Sequence, residues 1–291
     1  RGLYKMNMKG KRILITGGAG FIGLHLAKYL KKNNDVIILD KVKCQFSGSI
    51  KCDVRDNGWF KKVGRVDYIF HLAAIVGVDY VASHPEETRS TEILGMRNVI
   101  DFAKKYKVKK IIYSSTSSVY DVLTHPTSYN TSKLLAEQIL RDSSLNYTIL
   151  RYFNVYGPNQ KEKMVVSKFI SLASQDKPLI VYMDGNQTRD FTFIEDVVKA
   201  TVIVSSSNKT NSETFDVCTG VETRISNLAK IIKKGLNSQS KIVYKEFPMG
   251  RVNFEVTHRV GCVDKLTQLT RFVPLFDLNK GIRKTIGEKS S

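Results

Sequence analysis

The sequence predicts an α/β fold: a doubly wound parallel sheet with a smaller α/β lobe towards the C-terminal end. Short apolar runs alternate with segments of helical spacing through the first half of the chain, as they do when helices connect parallel strands. A glycine-rich turn separates the first apolar run from the first helical segment. Beyond Gly157-Pro158 the alternation loosens, which predicts a second lobe over the carboxyl ends of the sheet strands that closes a crevice.

Five apolar runs, each bounded by polar or turn residues, are the expected strands of the sheet. They lie at 12–16, 36–39, 67–71, 109–114 and 147–151. At 291 residues with 42% hydrophobic side chains, the chain is long enough to bury a large core. In the second lobe, helices are expected at 164–174 and 226–236, and strands at 179–182 and 241–244.

Composition and charge exclude several classes of protein. No run reaches the roughly 18 apolar residues of a membrane span and no signal peptide is visible, so we expect a cytoplasmic protein without membrane insertion. The net charge of +19 is spread over helix ends and loops, which disfavours a nucleic-acid partner but would attract a polyanionic ligand. The four cysteines form no C-x-x-C pair, so no metal site is expected. Residues 1–8 are expected to be a tag remnant or an alternative start.

The segment Thr16-Gly-Gly-Ala-Gly-Phe-Ile-Gly23 has the composition of a turn that holds a dinucleotide pyrophosphate. It follows an apolar strand-like run and precedes a segment, 21–31, whose apolar residues have helical spacing. In that setting, backbone N–H groups and the helix N-terminus attract phosphate. The acid Asp40 ends the second apolar run, where a carboxylate accepts both ribose hydroxyls and repels a 2′-phosphate. These observations favour NAD over NADP, although Lys41 and Lys43 weaken the preference.

The segment 128–137 contains a second signal. Tyr129 and Lys133 are four residues apart and therefore lie on one face of a helix. Another such pair, Tyr106 and Lys110, is interpreted as the solvated basic end of a helix that runs into a strand. Together with the glycine-rich turn, the first pair predicts redox chemistry on a carbinol, in which Tyr129 moves the proton and a nicotinamide moves the hydride.

Six further motifs follow along the chain: Asp53-Val-Arg-Asp56, His71-Leu-Ala-Ala74, Ser114-Ser-Thr116, Arg151-Tyr-Phe-Asn-Val-Tyr-Gly-Pro158, Asp184-Gly-Asn-Gln-Thr-Arg-Asp-Phe191 and Pro274-Leu-Phe-Asp-Leu-Asn-Lys-Gly-Ile282. With the two motifs above, they make the chain resemble the extended short-chain dehydrogenases/reductases, in particular their NAD-dependent nucleotide-sugar epimerase/dehydratase branch and its UDP-glucose 4-epimerases. The resemblance covers about residues 9–286. It implies a Rossmann-type NAD-binding domain at 9–157 plus about 184–218, and a substrate-binding lobe at about 158–183 plus 219–291.

The resemblance assigns roles to the cofactor residues. Asp53 would bond the adenine amino group, and Lys133 would bond the nicotinamide ribose and hold Tyr129 acidic. Bringing a tyrosine pKa from ~10 to near 7 requires roughly 4 kcal/mol, which a lysine and a bound NAD⁺ ring can supply. His71 is interpreted as structural. The residues implied in cofactor binding are Gly17, Gly20, Phe21, Ile22, Gly23, Asp40, Asp53, Val54, Leu72, Ala73, Ala74, Ser114, Tyr129 and Lys133.

The resemblance also implies how the substrate is bound. Thr116 would hydrogen-bond the reacting hydroxyl while Tyr129 takes its proton. Four further residues would contact a nucleotide sugar. Phe191 would line the base pocket, and the diphosphate would be bound by Asn154, Arg189 and Arg251. A salt bridge to Asp190 or Glu195 is the alternative for Arg189. Arg251 is followed by Val252-Asn253 instead of the Gly-Asp of the family.

The reaction type is inferred from the two residues after Thr116. Dehydratases of the family have Asp-Glu there, whereas this chain has Ser117-Ser118, and a hydroxyl is a poor acid at neutral pH. The remaining chemistry is 4-epimerisation of a UDP-sugar through a transient 4-keto intermediate and NADH. The chain also departs from the family in the spacing of 13 between Thr116 and Tyr129, and in having Glu92 and Met96 where relatives have Asn and Thr.

Other functions stay open. One is a net NAD(P)-dependent dehydrogenase, reductase or dehydratase of a nucleotide sugar, and another is a catalytically weak cofactor-binding homologue. By analogy, helices at 86–105 and 129–142 would pair two copies into a homodimer. The identity of the sugar and of the base is left open by the sequence.

Overall fold

The computed structural model describes residues 8–247 and 256–289, which form two compact units. Unit 1 contains the chain up to Arg151, together with Val198–Phe215 and Leu266–Phe272. Unit 2 contains Tyr152–Val197, Asp216–Lys265 and the chain from Val273 onward. The assignment of cofactor binding to one part of the chain and substrate binding to another stays a prediction.

Strands and helices alternate through unit 1 and become shorter in unit 2. The strands are β1 (Arg12–Thr16), β2 (Asp35–Asp40), β3 (Ser49–Lys51), β4 (Tyr68–His71), β5 (Lys110–Thr116), β6 (Tyr147–Tyr152), β7 (Val155–Tyr156), β8 (Leu179–Tyr182), β9 (Thr188–Asp190), β10 (Thr192–Phe193), β11 (Glu213–Val217), β12 (Glu222–Arg224) and β13 (Ile242–Lys245). The helices are α1 (Phe21–Leu30), α2 (Trp59–Val63), α3 (Val78–Ser83), α4 (Pro85–Tyr106), α5 (Ser128–Arg141), α6 (Val165–Ala173), α7 (Ile194–Ser205), α8 (Ile225–Gly235), α9 (Asp264–Thr270) and α10 (Leu278–Lys289).

Seven strands form the central sheet, in the order β11-β6-β5-β4-β1-β2-β3. The pairs that join β1 to β2 and β4, β2 to β3, and β4 to β5 are parallel. Strand order reverses at β1, which lies beside both β2 and β4. The carboxyl ends of β1 and β4 meet in register, with Thr16 opposite His71. Ligands of doubly wound sheets bind outside the strand ends at such a reversal.

The predicted fold class is confirmed, as are the five predicted strands of the sheet. Strand β11 was not predicted, because its sequence, Glu-Thr-Phe-Asp-Val, alternates polar and apolar residues over only five positions. Strand β3 is three residues long and only partly buried, so it leaves no apolar run in the sequence. In the second half, β8, β13, α6 and α8 lie within a residue or two of the predicted positions.

The core of unit 1 packs sheet residues against α2, α4 and α5. Within this core, the centroids of the Trp59 and Phe102 rings lie 4.8 Å apart, and both side chains are fully buried. The interpretation of Lys110 as solvated is wrong. Its buried ammonium donates to the carbonyls of Val204 and Ser207 and to the Thr210 hydroxyl, and burial lowers its pKa to about 8.

The described part of the chain has neither a membrane-spanning helix nor a metal cluster. Among residues 8–247 and 256–289, no helix has the length and apolar character needed to cross a bilayer. The same residues contain no group of three or more His, Cys, Asp or Glu side chains arranged to hold a metal ion.

Candidate active site

The glycine-rich turn connects β1 to α1 and brings the backbone close to the turn after β4. Gly17 has a φ of +68°, which glycine adopts without strain, and a Cβ there would lie 2.5 Å from the Ala73 nitrogen. At Gly23, a Cβ would overlap the Gly17 carbonyl oxygen. Only glycine fits these two positions, so the turn is compressed against both the first turn of α1 and the end of β4.

The turn fits a dinucleotide pyrophosphate. Gly20 is the N-cap of α1, and within the described part of the chain no side chain caps that helix end. Its backbone N–H groups and partial positive charge therefore suit an anionic ligand. Phe21, Ile22 and Gly23 form the first turn, as predicted from the sequence.

Asp40 and Asp53 lie in one cavity beside this turn. The Asp40 carboxylate accepts from the N–H of Ala19 within the glycine turn, at 3.0 Å, and from that of Val42. Both oxygens of Asp53 accept from Arg55, the shorter distance being 2.6 Å, and this pairing lowers the pKa of Asp53. Predicted and unpredicted residues share the cavity wall: Gly17, Leu39, Asp40, Lys41, Cys52, Asp53, Val54, Ala73, Ala74, Ile75 and Thr91.

Helix α5 carries Tyr129 and Lys133 on one face, as predicted. The Lys133 nitrogen lies 6.0 Å from the centroid of the Tyr129 ring, and the Tyr129 side chain is half-buried. Lys133 is 2% exposed and donates to the Ser114 carbonyl at 2.8 Å. That bond ties the helix to β5, whose last residue is Thr116. The three predicted catalytic residues are therefore held by adjacent elements of unit 1.

The surroundings of Thr116 contain hydroxyl groups. Its Oγ1 lies 3.0 Å from the Ser118 Oγ and accepts from the Ser118 N–H, so the threonine caps a short 3-10 helix over Ser117–Asp121. Asn130 then links this segment to α5, because its side-chain amide donates to the carbonyls of Ser118 and His125. The short connection between Thr116 and Tyr129 is thus fastened at both ends.

Glu92 is the site residue whose role the sequence did not reveal. Its carboxylate lies 3.1 Å from the Lys133 nitrogen and accepts from the Tyr113 hydroxyl at 3.0 Å. Burial raises the pKa of Glu92, while the charge of Lys133 opposes that change. A signal was present in the sequence: Thr88, Glu92 and Val99 fall on the buried face of α4, where an acid is unusual.

His71 is enclosed at the end of β4 beneath the site. Its Nδ1 lies 2.7 Å from the Thr16 hydroxyl, which also accepts from the Ala73 N–H. Burial, together with the charge of Lys133, lowers the pKa of His71 to about 3, so the ring is neutral at physiological pH. A neutral ring bonded between two strand ends agrees with a structural role. Leu72 connects this strand end to the turn at Ala73.

Three of the four expected substrate residues lie in unit 2. Asn154 is in the bend before β7, and its carbonyl accepts from the Thr192 N–H. Phe191 is 4% exposed and packs edge-to-face with Tyr156. The Arg189 guanidinium donates to the carbonyls of Thr188 and Val256, both at 2.7 Å. The fourth, Arg251, lies outside the described residues.

The two acids considered as partners of Arg189 have other contacts. Asp190 is fully buried and accepts from the N–H groups of Thr219 and Gly220 and from the Thr219 hydroxyl. Glu195 forms an ion pair with Lys284.

Comparison with known proteins identifies a family. A model described as the NAD dependent epimerase/dehydratase family matches residues 13–218. A UDP-N-acetyl-alpha-D-glucosaminuronate decarboxylase of Bacillus cytotoxicus is 36% identical, over 95% of this chain and 97% of that protein. A putative UDP-glucose 4-epimerase of Methanocaldococcus jannaschii is 31% identical, over 94% of this chain and 97% of its own length.

Solved structures resemble this one along nearly their whole length. One is the UDP-glucuronic acid 4-epimerase of Bacillus cereus in complex with UDP-glucuronic acid and NAD. It is 27% identical and superimposes with a TM-score of 0.86, covering 96% of this chain and 99% of that one.

Proposed function

This chain belongs to the NAD-dependent epimerase/dehydratase family, and from that membership we propose that it is a 4-epimerase of a UDP-sugar. Membership of this family makes it an NAD-dependent enzyme that acts on nucleotide sugars. The observation that carries oxidation and reduction at C4 is the bond from Lys133 to the Ser114 carbonyl, because it fixes the face of α5 that bears Tyr129 against the end of β5 that bears Thr116.

In this proposal, the chain's own residues move a proton at one sugar hydroxyl. The Thr116 hydroxyl orients the C4 hydroxyl of the sugar, and the Tyr129 phenolate accepts its proton as the carbinol becomes a ketone. The Lys133 ammonium favours the phenolate by its charge. NAD, when bound, would supply the acceptor and later the donor of the C4 hydride, with the keto-sugar turned between the two transfers. Tyr129 gives the proton back when the hydride is returned to C4, so no net redox change occurs.

The residues after Thr116 argue against dehydration. Eliminating water from the sugar needs a group that gives a proton to the leaving hydroxyl, and carboxylic acids do this well. Thr116 contacts the Ser118 hydroxyl instead, and Ser117 is buried. A site with these side chains supports oxidation and reduction at C4 but does not favour the elimination of water.

A decarboxylase is the second candidate, favoured by the 36% identical relative of that activity. Oxidising C4 of a UDP-uronate gives a β-keto acid, whose C5–C6 bond breaks with loss of CO₂ while the electron pair is stabilised by the ketone. Protonation at C5 and reduction of C4 then yield a UDP-pentose. The same Tyr129, Thr116 and Lys133 serve both reactions, so the sugar that fits the site decides between them.

Product analysis tests the proposal. The purified protein is incubated, without added reductant, with UDP-glucose, UDP-galactose and their N-acetyl and uronate forms. The proposal expects the C4 epimer of at least one donor, with no accumulation of NADH, and none with Tyr129→Phe. Loss of CO₂ from the uronates alone would assign the decarboxylase. Net NADH formation would assign a dehydrogenase, and inactivity toward every donor would contradict the proposal.

A further inference from the structure

We propose that Glu92 is a positioning residue that sets the acid strength of Tyr129 by binding the ammonium group of Lys133. The proposal rests on the proposed function, in which Tyr129 exchanges a proton with the sugar. Its starting observation is an ion pair of 3.1 Å between Glu92 and Lys133, whose side chains are 0% and 2% exposed. Water does not screen a pair enclosed to this degree, so the two charges act strongly on each other and on their neighbours.

The contacts of Glu92 favour its ionised form. Lys133 can only donate, and the Tyr113 hydroxyl donates to the second carboxylate oxygen. A protonated carboxyl could donate only to the Tyr113 hydroxyl, which would then have to turn away from its present role as donor. Ionised Glu92 therefore satisfies both neighbours, although burial works against the charge.

The charged and titratable groups around Glu92 come from three other elements. On β5, the fully buried Tyr113 donates to it, and burial raises the pKa of that phenol well above its usual value. On α5, Lys133 faces the carboxylate and Tyr129 lies one turn before the lysine. On β4, the His71 ring stacks on Tyr113 with centroids 5.6 Å apart and is neutral. Glu92 is thus the negative charge that faces Lys133 in this group.

Glu92 changes what Lys133 does for Tyr129 in two ways. It holds the ammonium, because the Glu92 carboxylate attracts it at 3.1 Å while the ammonium donates to the Ser114 carbonyl. It also offsets the positive charge that would stabilise a Tyr129 phenolate. The pKa of Tyr129 is therefore higher than it would be with a neutral amide at position 92, and the catalytic phenolate forms at a higher pH.

Titration of the phenol in the absence of substrate tests this. The chain has 13 tyrosines, so the tyrosinate absorbance of each protein is compared with that of the same protein carrying Tyr129→Phe, which isolates residue 129. Glu92→Gln keeps the shape and removes the charge. We expect the pKa of Tyr129 to fall by about one pH unit in this variant. The acid limb of the kcat–pH profile should move down by the same amount.

Two comparisons make the result specific. Glu87→Gln removes the same charge from the same helix at the surface, where Glu87 pairs with Lys41, and should leave the pKa of Tyr129 unchanged. Glu92→Asn places at this position the neutral amide that relatives carry, so the pKa of Tyr129 should fall in this variant as well. This second variant keeps the test decisive if Glu92→Gln does not fold.

The outcomes separate this inference from the proposed function. An unchanged Tyr129 pKa in folded Glu92→Gln or Glu92→Asn would overturn the role of Glu92. If the wild type turns over no UDP-sugar, the proposed function fails while the titration still measures the effect of Glu92. If turnover is observed and the pKa does not move, only the inference fails.

Discussion

Individual buried polar residues under the strand ends determine how the candidate site responds to pH. His71 and Glu92 are both fully buried: the His71 Nδ1 lies beside the Thr16 hydroxyl, and Glu92 accepts from the Tyr113 hydroxyl. Isolated charges in such positions are costly, so one residue is held neutral and the other is paired with Lys133.

The low pKa of His71 predicts a loss of stability in acid. Below about pH 6.5 the unfolded chain binds a proton on this histidine, whereas the folded chain does so only near pH 3. The contribution is therefore fully present above pH 6.5 and decreases as the pH falls through this range, by about 1.4 kcal/mol per pH unit. Urea unfolding from pH 6.5 to 4.5 should show a shallower decline for His71→Gln than for the wild type. The exposed His84→Gln serves as a control and should follow the wild type; equal slopes for His71→Gln and the wild type would contradict the assignment.

At this scale, local sequence predicted the residues whose chemistry depends on a short motif. Gly17 and Gly23 need a tight turn, and Tyr129 and Lys133 need one helical turn, so spacing along the chain identified them. The role of Glu92 depends on its contacts with Tyr113 and Lys133, which lie on two other elements of the fold. Its burial is visible in the helical periodicity of α4, but its partner is decided by tertiary packing.

At the scale of elements, the connection from β5 to α5 is short and held by side chains. Asn130 is 2% exposed, and its side-chain oxygen accepts from the Thr127 N–H while its amide donates to two loop carbonyls. Together with the Thr127 hydroxyl it completes a capping box at the start of α5. Sequence showed that the loop was short and that asparagine followed the tyrosine. It did not show that this asparagine fastens the loop.

Replacing Asn130 should affect both stability and catalysis. Asn130→Asp keeps the acceptor of the cap but sets a carboxylate against the Ser118 and His125 carbonyls, so we expect a loss of about 2 kcal/mol in unfolding free energy. Because Ser118 contacts Thr116, kcat should also fall, by roughly tenfold. Thr127→Ala, which removes the hydroxyl part of the cap alone, should cost about 1 kcal/mol and leave kcat near the wild-type value. Equal effects of the two variants on kcat would show that the loop bonds of Asn130 do not position Thr116.

The long periodic elements were the predictable ones. Buried parallel strands read as continuous apolar runs, which is why β1, β2, β4, β5 and β6 were located from sequence. Unit 2 consists of strands of two to four residues, whose pairing is decided by contacts between distant segments.

At the scale of the whole molecule, α4 and α5 pack together in unit 1 and expose large apolar side chains. Leu94 on α4 is 44% exposed, and Leu134 and Leu135 on α5 are 38% and 47% exposed. The homodimer expected from the family resemblance would cover these residues.

A charge on this surface tests the dimer. Leu135→Lys should halve the mass observed by sedimentation velocity and leave the unfolding free energy of the subunit little changed, because the side chain is exposed in the single copy. Leu123→Lys is the matched control, since Leu123 is 96% exposed and lies off both helices. A wild-type protein that sediments as a monomer at micromolar concentration would rule out the dimer.

In the proposed reaction, one carbon of a UDP-sugar gives up its hydrogen and takes the same hydrogen back on the other face. The most direct measurement uses UDP-glucose, UDP-N-acetylglucosamine and UDP-glucuronic acid with deuterium at C4, followed by mass spectrometry and proton NMR of the products. The proposed function predicts a C4 epimer that retains deuterium at C4, and no such product with Tyr129→Phe. An epimer that has lost its deuterium to solvent, or a UDP-pentose as the sole product, would contradict it.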